Sequence, residues 1–253
     1  MKKLMFAAAA IAAGAAMAVE SQIVGYETKA IDAGAWYMIG CGFEKTDGQA
    51  FDIQEFITGQ STDWEAENCA TIMVPTPEGG LITYQYLGID SDEDENVIGA
   101  WIKLGEGDPT SFPVEPGFSC WFTDPNDVTI TVAGAVTPAI VGGNEKVLLA
   151  DTWNMICNPF PMAVQMNGDA KFDCTGLATD WESENCATIM YPTSAGGLIT
   201  YQYLGVDSDE DENVIGAWIK LGEGDPTDMT LPSGSGFWIY NPGKDGTVVW
   251  KMN

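Results

Sequence analysis

The stretch TDWEAENCATIMVPTPEGGLITYQYLGIDSDEDENVIGAWIKLGEGDPT, running from Thr62 to Thr110, occurs again from Thr179 to Thr227. The offset is 117 residues with no insertion, and 44 of 49 positions are identical. Only Ala66/Ser183, Val74/Tyr191, Pro77/Ser194, Glu78/Ala195 and Ile89/Val206 differ. A period this long means two tandem units, each large enough to be a small domain. Inside the block, the short apolar runs Cys69–Val74, Leu81–Leu87 and Val97–Leu104 read as strands. Turn chemistry separates them at Pro75–Gly80, Gly88–Asp92 and Gly105–Pro109.

Working outward, Gln22–Tyr26, Ala35–Phe43, Phe118–Phe122 and Val128–Val132 add strands of the same kind. A short helix fits 51–60 or 168–178. No stretch beyond the N-terminus carries a long apolar face of helical period. The expected fold is therefore all-β, two tandem β-sandwich or small-barrel repeats of about 117 residues related by a pseudo-twofold. Residues 19–136 form unit 1 and 137–253 form unit 2, joined by the small-residue linker Ala133–Ala139. Similarity is uneven: the flank 23–61 shares about a third of its residues with 140–178. Recent copying of the block and a function carried by the block both explain that contrast.

Residues 1–18 read as a signal peptide. Lys2 and Lys3 precede a short apolar run, Leu4–Met17, and an Ala16-Met17-Ala18 site. The expected location is exported: extracellular, cell surface or periplasm. No later segment is long and apolar enough to span a bilayer.

Charge and composition exclude whole classes of chemistry. Ten Lys and no Arg or His stand against 37 Asp and Glu, a net charge of −27. Such a chain is repelled by nucleic acid and by anionic lipid. Its expected partners are other envelope or extracellular proteins, or neutral glycans. Without His there is no Ser-His-Asp or Cys-His catalysis and no ordinary zinc hydrolase site. Carboxylate pairs such as Asp63, Glu65 and Glu67 and their copies carry little information in so acidic a chain. The protein is expected not to be an enzyme.

Six cysteines, Cys41, Cys69, Cys120, Cys157, Cys174 and Cys186, are an even set in a chain expected to be exported. Cys69 and Cys186 are equivalents, whereas Cys41 and Cys120 belong to unit 1 alone and Cys157 and Cys174 to unit 2 alone. The simplest pairing is Cys41–Cys120, Cys157–Cys174 and Cys69–Cys186. A competing set is Cys41–Cys69, Cys174–Cys186 and Cys120–Cys157. Six free thiols on buried strands are a third reading.

The acidic loop Gly88–Asn96 recurs as Gly205–Asn213. Asp90, Asp92, Asp94 and Asn96, with Asp207, Asp209, Asp211 and Asn213, alternate as hard oxygen ligands do in calcium loops. Glu95 and Trp101 stand where an EF-hand needs Gly and Glu, so Ca²⁺ at a β-loop is the one cofactor considered. A solvated hairpin tip that blocks edge pairing is the plainer alternative.

Strand parity puts Ile98, Ala100, Ile102 and Leu104 on the core face and Trp101 beside Lys103 on the outer face. Trp218 follows as its copy. Trp121 and Trp238 oppose the apolar faces of their own strands. These four tryptophans, with the Tyr84/Tyr86 and Tyr201/Tyr203 pairs, are candidate sugar-stacking platforms.

Two motifs carry a resemblance. One is Trp153-Asn154-Met155-Ile156-Cys157-Asn158-Pro159-Phe160, and the other is Gly234-Ser235-Gly236-Phe237-Trp238-Ile239-Tyr240. With Ser21–Tyr26 after the export signal, they resemble a loose group of exported bacterial proteins with duplicated β-units. Unit 1 departs from both motifs, at Gly40-Cys41-Gly42-Phe43 and at Pro116–Trp121. The resemblance implies export and β-structure and brings no catalytic residue. The expected function is a non-catalytic, exported structural or adhesive repeat protein with candidate calcium loops. The alternative is a glycan-binding module using exposed Trp and Tyr.

Overall fold

The computed structural model describes residues 23–136, 143–193, 196–243 and 246–251. The expected signal peptide and the last three residues of the expected linker, 137–139, lie outside the described residues. Ala133–Val136, read as the start of the linker, is the end of a strand.

The chain is all-β. In the first half run β1 (Ile23–Ile31), β2 (Tyr37–Gly40), β3 (Phe51–Asp52), β4 (Thr71–Pro75) and β5 (Leu81–Ser91). They are followed by β6 (Val97–Lys103), β7 (Pro113–Val114), β8 (Ser119–Thr123) and β9 (Val128–Val136). The second half has β10 (Asn144–Leu148), β11 (Trp153–Cys157), β12 (Val164–Gln165), β13 (Phe172–Asp173) and β14 (Thr188–Pro192). It continues with β15 (Leu198–Ser208), β16 (Val214–Lys220), β17 (Thr230–Leu231), β18 (Gly236–Tyr240) and β19 (Gly246–Trp250).

Each half builds one antiparallel five-stranded sheet, in the order β2-β8-β4-β5-β6 and β11-β18-β14-β15-β16. Among the described residues, none of the sheets closes into a barrel. A smaller sheet covers each large one: the ribbon β1-β9 in the first half, β10-β19-β13 in the second. The core lies between the layers. Ile31, Ile130 and Val132 of the ribbon pack with Ile72, Trp101, Cys120 and Phe122 of the large sheet. Leu148, Val248 and Trp250 pack with Ile189, Trp218, Phe237 and Ile239.

The layers differ in local detail. Asp52 caps a helical turn, α1 (Ile53–Phe56), through a capping box closed by Glu55. The residue equivalent to Glu55 is Phe172, which cannot close such a box. It stacks between Trp250 (5.0 Å) and Trp218 (6.1 Å), and the chain there is strand β13. The short helix therefore forms in 51–60 and not in 168–178. The last strand also slips: Ile31 pairs with Val128, but Leu148 pairs with Gly246, an offset of 118 in place of 117. A one-residue slip reverses which side chains point inward. Here it turns Val248 and Trp250 to the core and leaves Thr247 half-buried.

The two large sheets meet along β2 and β8 of one and β11 and β18 of the other. Ile39 bridges Ser235, and Cys157 N donates to Gly117 O at 3.2 Å. Equivalent positions face each other there. A Cβ on Gly40 would overlap the Cys157 side chain, and one on Gly236 would overlap the Ser119 hydroxyl. Cys157 is the 117-offset copy of Gly40, and Gly236 that of Ser119.

Candidate functional site

Trp101 and Trp218 are fully buried, which corrects their placement on an outer face. Ile98 and Leu104, expected inside, are exposed at 43% and 63%. Both faces of the middle of β6 are covered, so simple alternation fails there. Tyr86 lies 5.1 Å from the Trp101 ring, and Gln54 seals the strand edge beyond it. Of the tyrosines, Tyr84 and Tyr201 are core residues and Tyr86 and Tyr203 lie on the buried tryptophans. Neither tryptophan can offer a face to a ligand.

All six cysteines are free thiols, so none of the expected pairings is formed. Five of the six thiols have hydrogen-bond partners elsewhere. Cys69 Sγ accepts from Asp63 N at 3.2 Å within its own loop, and Cys186 Sγ accepts from Asp180 N at 3.2 Å in the copy. Cys41 donates to Phe43 O, Cys157 points at Cys41 O, and Cys174 accepts from Trp218 Nε1 at 3.2 Å. Burial pushes Cys41 and Cys174 up to about 12 and raises Cys120 and Cys157 well above the ordinary thiol value. These are inert thiols.

The acidic hairpins are exposed. Asp92 Oδ1 accepts from Asp94 N and Asn96 N, and both its oxygens accept from Asn96 Nδ2, so this carboxylate closes its own turn. Asp209 Oδ1 likewise accepts from Asp211 N and Asn213 N, and its Oδ2 from Asn213 Nδ2. These bonds hold Asp92 and Asp209 below the usual carboxylate range. Among the described residues, no three His, Cys, Asp or Glu side chains converge as metal ligands, at Asp90, Asp92 and Asp94 or elsewhere.

Trp121 and Trp238 lie elsewhere: each lines a cleft. In cleft one, of about 370 Å³, Trp153 and Trp238 with Thr152 face the hairpin residues Pro75, Thr76 and Leu81. In cleft two, of about 470 Å³, Trp36, Tyr37 and Trp121 face Pro192, Thr193 and Leu198. Trp36 and Trp153, Trp121 and Trp238, and the two hairpins are equivalents at the 117 offset. Each cleft is thus built from the tryptophans of one half and the β4–β5 or β14–β15 hairpin of the other. The approach is close, since a Cβ on Gly79 would lie 3.7 Å from Thr152 Oγ1. Leu198 lines both clefts, so they adjoin.

The local sequence explains the geometry. On β8 and β18 the tryptophan alternates with Cys120/Phe122 or Phe237/Ile239, whose burial turns it to the opposite face. Trp36 and Trp153 precede or open the neighbouring strand and stay 41% and 37% exposed. Trp153 also meets Tyr240, at 5.4 Å. Among the described residues, no charged side chain lines either cleft, in a chain of net charge −27. Flat indole faces with a few hydroxyls suit a ligand with apolar faces and a hydroxylated rim. Trp36 and Trp153 are the residues that sequence reasoning passed over. Their signal was present: both survive in a flank that otherwise shares about a third of its residues.

Among the described residues, no helix is long and apolar enough to cross a membrane. No protein-family model, curated protein or solved structure matches the chain.

Proposed function

We propose that the protein is a non-catalytic, exported adhesive module that holds a neutral glycan in its two tryptophan clefts. The observation that carries this reading is the pair of equivalent clefts, each with two tryptophans and each shared between the halves. Aromatic faces stack on the apolar faces of sugar rings, while Thr76, Thr152, Thr193 and Tyr37 supply hydroxyls at the edges. The uncharged lining removes ion pairing as a source of affinity, and the acidic surface disfavours polyanionic ligands. Two adjoining clefts on one chain also favour long ligands, because engagement of the second is intramolecular.

Isothermal titration with neutral hexasaccharides of glucose, mannose, xylose and N-acetylglucosamine tests the reading. At least one should bind, and Trp36→Ala and Trp153→Ala should each weaken binding about tenfold or more. Tyr26→Ala, at a 75% exposed aromatic that lines neither cleft, should bind as the parent does. Binding by none of the four, or equal loss in all three variants, would leave a purely structural role.

A further inference from the structure

The two clefts are equivalent, but what lies behind them is not. A chamber of about 430 Å³ shares Trp36, Tyr37, Pro192 and Thr193 with cleft two and so opens from it. Its inner wall is Lys29, Tyr191, Tyr201, Met229 and Ser235. At the 117 offset, the positions behind cleft one are Val74 for Tyr191, Phe112 for Met229 and Phe118 for Ser235. There, Phe112 packs against Phe118 at 6.1 Å and against Tyr84 at 5.5 Å, and all three rings join the first-half core. Two phenyl rings on one side are a thioether and a hydroxymethyl on the other. The smaller side chains leave space, and Tyr191 brings a polar atom into it.

The chamber's polar groups converge. Tyr191 and Ser235 both line the chamber, and the Ser235 hydroxyl donates to Pro232 O at 2.7 Å. Lys29 Nζ donates to Met38 O at 3.0 Å and lies 5.3 Å from the centre of the Tyr37 ring. An ammonium carries three donors, so two N–H groups remain for a ligand. Glu27, on the same face of β1, opposes the Lys29 charge. The chamber therefore offers the Lys29 N–H groups and the Tyr191 hydroxyl, with Glu27 opposing the ammonium charge, which fits hydroxyls better than a carboxylate or a phosphate.

We propose that this chamber is a terminal subsite, taking the end residue of the neutral glycan held in cleft two and so giving the bound chain a direction. Cleft one, backed by Phe112 and Phe118, grips the chain only along its length. The proposal rests on the glycan reading above. It goes beyond that reading by naming which cleft ends the site and which residues read the end.

The test is titration of whichever neutral hexasaccharide binds the parent, using Ser235→Phe, Tyr191→Phe and Lys29→Gln. Ser235→Phe, which restores the first-half residue, should weaken binding tenfold or more. Tyr191→Phe removes one oxygen and should weaken it about fivefold. Thermal melting accompanies each variant, and if Ser235→Phe fails to fold, Tyr191→Phe and Lys29→Gln decide. Loss in these variants together with loss in Trp36→Ala supports the subsite. Loss in Trp36→Ala with parental binding in the chamber variants overturns the subsite and leaves the clefts standing. No binding of any hexasaccharide by the parent overturns both.

Discussion

The same block docks into two different frames, and the halves solve one problem with different residues. The edge strand at Trp101 and its copy at Trp218 must satisfy backbone groups that no further strand reaches. In the first half Gln54 does this: Trp101 N donates to its Oε1 at 2.8 Å, and its Nε2 donates to Trp101 O and Thr110 O. In the second half Asn167 does it, with Trp218 N, Trp218 O and Thr227 O. These amides are not equivalents, because Gln54 corresponds to Lys171 and Asn167 to Ala50. Gln54 reaches from the helical turn and Asn167 from a loop. What is held constant is the set of backbone groups that receive a partner, not the residue that provides it.

A second contrast concerns Asp124 and its counterpart Asn241, both fully buried. Asp124 accepts from Ser61 N, Ser61 Oγ and Asn126 N, whereas Asn241 Oδ1 accepts from Ala178 N. Asp124→Ala strands several buried donors and should cost about 3 kcal/mol in chemical denaturation. A cost below about 1 kcal/mol would mean that the Ser61 and Asn126 donors find other partners. Next in size, Gln54→Ala and Asn167→Ala should each cost about 2 kcal/mol, and by similar amounts if the clasps are interchangeable. A large inequality would break that comparison.

Smaller effects probe what the halves share. Glu95 and Glu212 both sit at left-handed φ, 63° and 64°, in their hairpins. Glycine at either should stabilise by about 1 kcal/mol, since it removes the steric cost of that conformation. A destabilised variant would show that the glutamate side chain is used. The smallest expected effect is on pH dependence, where the two signs oppose. Asp92 and Asp209 lie below the ordinary aspartate range, so what they contribute is present above that range and lost as acid titrates them. Burial raises Glu27, so its ionised form costs stability that is recovered as pH falls through its raised value. In melts from neutral pH to about pH 3, Glu27→Gln should therefore remove a gain on acidification. Asp92→Asn should remove a loss.

The sheets were legible because their strands are short, apolar and bounded by Gly and Pro turns. β3 and β7 were not, since two-residue pairings leave no periodicity to read. Parity failed at Trp101 because its side chain packs into the core with Ile72, Phe122 and Ile130, and Ile130 comes from a strand distant in sequence. The disulfide expectation failed for a related reason. Counting cysteines ignores local partners, and Cys69 and Cys186 each close their own loop. The clefts lay beyond reach because each joins residues from different halves, and no spacing along the chain reports such a meeting. One trace was visible: Val74 and Tyr191, one of the five differences in the block, stand on the strands β4 and β14 that lead into the cleft-wall hairpins.

At the junction, Gly40 gives way to Cys157 and Gly236 to Ser119. In each pair one half recedes where its copy protrudes. Two first halves set face to face would leave a hollow where glycine meets glycine and would crowd serine against serine. Two second halves would fail in the reverse sense. The halves have become lock and key to one another, and neither is any longer its own mate. Duplication here is a one-way step: the fused chain can keep diverging, but its halves can no longer live apart as symmetric twins.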